Sequence, residues 1–511
     1  MSQVRRNIVH NLWGQAGPLF ANLYAVHVIF RSLGPDSLGV ILFAATLNGV
    51  LASALELGIS TTTIREIAAY WNYDSPYIHA LIRTFTSFYW TLYLVIAIAV
   101  WWWAPILVMD WIHLDTMSPD LAIRVLRVLG VSALLALPRA LYSSLFRGLQ
   151  RMELNNGLDT VATIVQQIGA VLFIYAGVKV YGVVLWFALT YVLWTMAYVA
   201  ISAMLFPWSA LVPGFSTTVI RKNARFSLHM GGVSILSIAH LQSDKLIVSK
   251  FLSVAQLGYY TVVSRVVARA ASATAAVAQA GFPSLSALLR DDRPAAVGQY
   301  QRLHNFICIG TVPIFAAIVF ATVPVLTFLF NSQIAISLLL PMTFLAIGQY
   351  MNGTLSMPYI FSLAAGKPEI AYQLNLIALV TSTPAAIWLV YQYGLLGGGF
   401  SWVVYHLVAY VYGLPRICRE CIGISPLAWY TDIGAIAIVA AASYLGAWII
   451  VVSVAGMHPI ALGVGFVGGS IVYLAATDVI LGSRLPRELL STIRLQARRA
   501  IAKLFAAPLA Q

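Results

Sequence analysis

Charge is scarce in this sequence. Of 511 residues only 9% are charged, and 17 are acidic, against 60% hydrophobic residues and a mean hydropathy of +0.85. That balance excludes a water-soluble globular protein. Cysteine is scarcer still: Cys308, Cys418 and Cys421 give no disulfide framework. Cys418 and Cys421 have CxxC spacing, but no second pair supplies the remaining ligands of a zinc site. The longest outer loop, about 104–119, offers Asp110 and Asp115 beside Asp120, which is thin for a metal centre. There is no P-loop. Gly463-Val-Gly465-Phe-Val-Gly468 matches the dinucleotide fingerprint in spelling only, because it lies inside an apolar segment with no strand before it. No cofactor, no metal and no soluble catalytic domain are therefore expected, and the protein reads as a non-enzyme.

What is present is a series of apolar runs of about 20 residues from end to end, interrupted by isolated Gly, Pro and Asn but few charges. Such runs are helices, not barrel strands. About fourteen can be counted, so the expected fold class is an all-α polytopic membrane protein. Leu12 to Phe30 is too long for a signal-peptide core and reads as the first spanning helix. The net charge of +13 does not point to nucleic acid, because the basic residues are spread over short loops. Arg65, Arg83, Arg139, Arg147, Arg151, Arg221, Lys222 and many others fall at one side, against Arg31, Arg124, Arg127, Lys179 and Lys250 at the other. By the positive-inside rule both termini face the cytoplasm.

Internal repetition divides the chain. One register sets Arg31, Leu33, Leu38 and Gly39 on Lys250, Leu252, Leu257 and Gly258; another sets Glu153, Leu158 and Gly182 on Glu369, Leu374 and Gly398. Two parallel six-helix repeats follow, residues 1–206 and 226–418, joined by a cytoplasmic loop over 207–225. Two additional spanning helices occupy 419–481, where Gly465 and Gly469 form a GxxxG face. Residues 482–511 read as a basic amphipathic cytoplasmic tail lying on the membrane surface. The connection from Ser60 to Tyr77 reads as a short polar loop.

The candidate site lies in Phe226 to Ser284, two long apolar segments meeting at Leu252-Ser253-Val254. They carry His240, Asp244, Lys245, Arg265 and Arg269. At about 1.5 Å per helical residue, Arg265 is roughly 16 Å beyond the turn, near the middle of a hydrocarbon core of about 30 Å. Arg269 follows one turn on, so both guanidinium groups share a helix face. An arginine at that depth costs from about 3 to more than about 10 kcal/mol unless it faces protein or water. Either the face lines a polar cavity suited to an anionic ligand, or the charges form structural ion pairs, for example Asp244 with Arg265. His240 is about level with Arg265 and is a candidate for proton coupling or a satisfied core histidine. Glu56, near the inner end of the second helix, is a further candidate partner that can reach interfacial water. The repeat sets Arg265 on Thr46 and Arg269 on Val50, so a cavity between the repeats would have one cationic wall.

Several strings carry a family resemblance. Arg31-Ser-Leu-Gly-Pro-Asp-Ser-Leu-Gly39, Leu55-Glu-Leu-Gly58 and Thr63-Ile-Arg-Glu-Ile-Ala68 resemble the start of the polysaccharide transporter family, the Wzx-type O-antigen and exopolysaccharide flippases. Asp244-Lys245-Leu-Ile-Val, Leu257-Gly-Tyr-Tyr260 with Arg265, and Phe282-Pro-Ser-Leu285 resemble its second half. The family belongs to the superfamily of lipid II flippases and multidrug and toxin extruders. The resemblance implies a V-shaped, two-lobed bundle in the bacterial inner membrane. It would move a polyprenyl-diphosphate-linked oligosaccharide to the outer leaflet by alternating access, for surface polysaccharide assembly alongside polymerase or assembly proteins. It also implies a cavity lined by the first, second, seventh and eighth helices, where Arg265 and Arg269 match the cationic positions, with Lys245 contributing and Asp244 as charge partner. The alternatives are a cation-coupled extruder of the same superfamily and a polytopic glycosyltransferase or polymerase.

Overall fold

The computed structural model describes residues 2–71 and 73–481, with their side chains except at 2–16, 229, 233, 237, 273, 283, 371 and 481. The tail expected over 482–511 lies outside the described residues. In a bilayer the backbone must satisfy its own hydrogen bonds, and long helices joined by short turns do so. They are α1 (Ser2–Leu33), α2 (Pro35–Leu55) and the shorter α3 (Ile59–Tyr70), then α4 (Ser75–Trp111), α5 (Pro119–Gly148), α6 (Met152–Tyr175) and α7 (Val180–Leu205). After α8 (Thr217–Phe251) come α9 (Val254–Asp291), α10 (Arg293–Leu329), α11 (Ser332–Ala364), α12 (Pro368–Tyr393), α13 (Leu395–Ile422), α14 (Pro426–Ala455) and α15 (Pro459–Ile480).

Among the described residues twelve helices are long and apolar enough to cross a membrane. α1 and α8, with 32 and 35 residues, have the length and are more polar; with them the long helices match the fourteen apolar runs. The protein is an all-α, multi-pass membrane protein. Several helix starts are written into the sequence. Asp74 accepts from the Tyr77 N–H at 3.0 Å, Asp292 from Ala295 at 2.9 Å and Asn331 from Ile334 at 2.8 Å, each satisfying a donor that the first turn leaves open.

Three connections differ from the sequence reading, the first being the outer loop expected from about 104, which is helical as far as Trp111. The polar stretch after Gly58 folds as α3, an amphipathic helix whose Ile59, Ile67, Thr62, Thr63 and Glu66 are buried. Its polar residues read as a loop, yet Thr62 and Thr63 return their hydroxyls to the carbonyls of Gly58 and Ile59, which leaves them compatible with a helix. The loop expected over 207–225 is mostly helical too, with a single turn at Trp208–Leu211 and α8 already under way at Thr217.

By internal contacts the chain divides after Thr261 into two compact units, with α9 running from the first into the second. In the first unit one apolar cluster gathers Leu81, Phe85, Tyr89 and Leu134, and another gathers Ile67, Tyr142, Phe146 and Tyr198. In the second unit α14 and α15 are part of the core: Trp429, Tyr444 and Tyr473 pack with Cys308 and Phe320 of α10. The GxxxG face seats α15 on α14, where a Cβ on Gly469 would lie 3.1 Å from the Tyr444 ring and 3.3 Å from the Ala447 Cβ.

Candidate functional site

Among the described residues, Asp244 and Lys245 of α8 are 3% and 8% exposed. The Lys245 Nζ donates to the Leu241 carbonyl at 3.2 Å and to Asp244 Oδ1 at 3.4 Å, while the Tyr260 hydroxyl of α9 donates to Asp244 Oδ2 at 2.8 Å. Tyr260 is itself fully buried. Neighbouring opposite charges make the burial affordable, because a buried charge left without its partner costs about 3–5 kcal/mol. His240, one turn earlier, is half-buried, and its carbonyl accepts from Ser243. Glu56 is half-buried at the C-terminal end of α2.

Arg265 and Arg269 lie on the part of α9 that belongs to the second unit, and both are exposed. Their surroundings on the helix are informative. Val263 and Val267 are buried, whereas Arg265, Ala268, Arg269, Ser272, Ala276 and Gln279 form one exposed stripe at helical spacing. Among the described residues α9 exposes no large hydrophobic side chain between Val254 and Gly281. By contrast α4 exposes Leu94, Ile98 and Trp102, and α6 exposes Val161, Ile168 and Leu172. Bulky apolar faces of that kind suit lipid; a stripe of Arg, Ala, Ser and Gln does not. The corresponding positions on α2 are neutral and self-satisfied, with the Thr46 hydroxyl bound to the Leu42 carbonyl at 2.9 Å.

Two polar features escaped the sequence reading. Arg139, counted there as an inner-end charge, sits inside α5 eight residues before Arg147, roughly 12 Å into the helix. Its guanidinium lies 3.6 Å from the centroid of the Trp194 ring, and nearby the Tyr198 hydroxyl donates to Asp159 at 2.7 Å. The second is centred on Glu66 of α3. Arg65 donates to its Oε1 at 2.9 and 2.6 Å, the Tyr77 hydroxyl to its Oε2 at 2.7 Å, and Lys222 of α8 lies 3.4 Å from Oε2. Asn223 joins by donating to Tyr77 at 2.9 Å and accepting from Arg65 at 3.1 Å. A helix-spaced Glu in a polar stretch gives no hint of partners more than 150 residues away.

Burial alone would raise the Glu66 carboxyl, but the Tyr77 and Arg65 hydrogen bonds and the charges of Arg65 and Lys222 outweigh it, so its pKa falls below 4.5. A lowered folded-state pKa contributes stability that is present above the unfolded value and lost as pH falls through the folded one. The clasp should hold at neutral pH and weaken below about pH 4.5. Glu66→Ala should cost about 2 kcal/mol near pH 7 and progressively less in acid, read by thermal unfolding in detergent at several pH values. The figure stays below that of a fully buried pair because the Arg65 and Lys222 side chains are 42% and 43% exposed.

The second unit also holds an apolar cavity of about 490 Å³ between α10, α11 and α14, lined by Phe315, Phe320, Leu340, Tyr350, Tyr444 and Trp448 among others. No charged side chain lines it.

Among the described residues the fourteen long helices make a multi-pass membrane protein, with charged side chains along α8 and α9. Residues 28–338 match the family described as polysaccharide biosynthesis protein, which is more than half the chain, and the protein belongs to that family. A Shigella flexneri protein titled "Putative O-antigen transporter" is 23% identical over 410 residues, 78% of this chain and 94% of that one. Among solved structures, a lipid II flippase, MurJ, in an inward closed conformation superposes with a TM-score of 0.72 at 12% identity over 94% of this chain and 100% of its own. A multidrug resistance MATE family transporter of the MOP superfamily, inward-facing, gives 0.61 at 17% identity over 79% and 95%. At those identities the structural likeness is one of fold. The family match makes the chain a polysaccharide biosynthesis protein, and its fold is that of these flippase and transporter structures.

Proposed function

We propose that the protein carries a polyprenyl-diphosphate-linked oligosaccharide from the cytoplasmic to the outer leaflet of the bacterial inner membrane by alternating access. The observation that carries this reading is the exposed Arg265/Arg269 stripe on a helix that, among the described residues, exposes no large hydrophobic side chain between Val254 and Gly281. Two guanidinium groups one turn apart are suited to a diphosphate, whose oxygens accept charge-assisted, bidentate bonds. Lys245 adds positive charge on the preceding helix, and Asp244 balances it between steps. The apolar cavity under α14 has the chemistry to take an isoprenoid chain. The substrate leaves chemically unchanged, so the role is transport without catalysis.

In this reading residues 1–206 and 226–418 are the two lobes, 419–481 are accessory helices, and both termini are cytoplasmic. That orientation follows the basic residues of the inner turns. Outward movement of negative charge is then favoured by an inside-negative potential, by about 2.3 kcal/mol per charge per 100 mV. Polymerase or other assembly proteins would receive the product. The test is ligand-dependent thermal stabilisation of the purified protein. Polyprenyl diphosphate should stabilise it by about 2.7 kcal/mol at a hundredfold excess over Kd, and a neutral polyprenol far less. Equal shifts with both lipids would remove the diphosphate from the reading, and stabilisation by organic cations alone would favour an extruder.

A further inference from the structure

Helix α2 meets the α8–α9 hairpin at both of its ends, and at both the backbones touch. At one end Gly39 lies on the carbonyl of Val254, and a Cβ built on Gly258 would be 3.1 Å from the Cα of Gly39. At the other, a Cβ on Gly58 would lie 2.6 Å from the Ser227 carbonyl oxygen, and one on Gly231 would lie 2.9 Å from the Cα of Leu57. By helical rise α2 runs about 24 Å from Gly39 to its last residue, Leu55, most of the thickness of the hydrocarbon core. The crossing is thus closed at both ends of α2.

The Gly39 end carries more than packing. Asp36, 2% exposed in the first turn of α2, accepts on one carboxylate oxygen from the backbone N–H groups of Asp115 (2.9 Å), Thr116 (2.6 Å) and Met117 (2.8 Å) and from the Thr116 hydroxyl (3.2 Å). The same segment reaches the α8–α9 turn. The Val254 N–H donates to the His113 carbonyl at 2.8 Å, Lys250 Nζ to the Asp110 carbonyl at 2.7 Å, and Trp111 Nε1 to Ser249 Oγ at 2.9 Å. Residues 110–117 therefore tie the start of α2 to the turn that α2 crosses. Neither can withdraw while both sets of bonds hold.

We propose that this segment is a strap that locks the Gly39 end of the crossing, the outer end in the orientation given above, and that Asp36 is its catch. Several N–H donors on one buried carboxylate make a strong, charge-assisted attachment, yet all of them lie on one side chain and can be released together. Opening of that end requires their release.

The test uses the full-length protein with a reporter cysteine at Val40, which is fully buried one turn beyond Asp36 on the same helix face. Val40→Cys should react slowly with a membrane-impermeant maleimide. Adding Asp36→Asn should speed labelling by about tenfold, as expected for loss of roughly one charge-assisted bond in the closed state. Equal rates would overturn the proposal. If Asp36→Asn fails to fold, His113→Cys/Ser253→Cys supplies a second route, because these residues pair across the strap as a parallel bridge. The disulfide should slow deuterium exchange over residues 36–44 and stop translocation, and reduction should reverse both. Unchanged exchange in the oxidised protein would overturn the strap. The translocation readout alone rests on the proposed function: a reduced protein that moves no lipid-linked oligosaccharide would count against that function, while labelling and exchange would still decide the strap.

Discussion

Replacing Arg265 and Arg269 together by glutamine should lower translocation of a lipid-linked oligosaccharide on the order of a hundredfold without lowering the unfolding temperature. The size follows from losing about two charge-assisted contacts, each worth roughly 1.5 kcal/mol or more, where each 1.4 kcal/mol is a factor of ten. Folding should be spared because both side chains are exposed, so truncating their charge empties no core position. Replacement by lysine keeps the charge but loses the planar fork that grips two phosphate oxygens, and should restore part of the rate. A loss of rate accompanied by a loss of stability would instead assign the arginines a structural role.

Gly39→Ala should have the largest effect on stability. Its new Cβ would fall inside the van der Waals surface of the Val254 carbonyl, which is backbone and cannot rotate away. Either α2 and α9 separate or the hairpin turn shifts, at a cost of about 3 kcal/mol or more. Gly49→Ala is the control. It lies in the same helix with nothing within 4 Å of its added Cβ, and alanine is favoured over glycine in a helix interior by about 0.5–1 kcal/mol. Thermal unfolding in detergent should therefore show the first variant melting well below the parent and the second level with it or above. Equal melting temperatures would mean that the crossing is not tight.

The helices themselves were legible because lipid demands continuous apolar runs, and the α8–α9 hairpin was placed correctly at Leu252-Ser253-Val254. The shared face of Arg265 and Arg269 followed from four-residue spacing alone. The internal repeat paired Gly39 with Gly258, and the structure brings those two residues into contact. Periodicity could not supply partners across the fold. Asp36 could not be singled out, since its donors are backbone N–H groups some 80 residues away that carry no sequence signature. Glu66 was hidden because Lys222, which completes its cluster, lies more than 150 residues away, and α3 because a helix rich in Thr and Ser resembles a loop by composition. Arg139 looked like a topology charge because its distance from the inner turn depends on where α5 ends. The α10–α11–α14 cavity is a product of packing between helices that each read only as apolar.

The central claim, that a cationic face of α9 receives the diphosphate of a lipid-linked oligosaccharide and passes it across the membrane, is tested most directly in reconstituted vesicles. The parent protein and the Arg265→Gln/Arg269→Gln variant, matched in folded amount, would be compared for delivery of a labelled polyprenyl-diphosphate oligosaccharide to the opposite leaflet. The expected result is transfer by the parent and near-background transfer by the variant. Transfer at the same rate by both would contradict the assignment of the arginines and leave the stripe on α9 without a ligand.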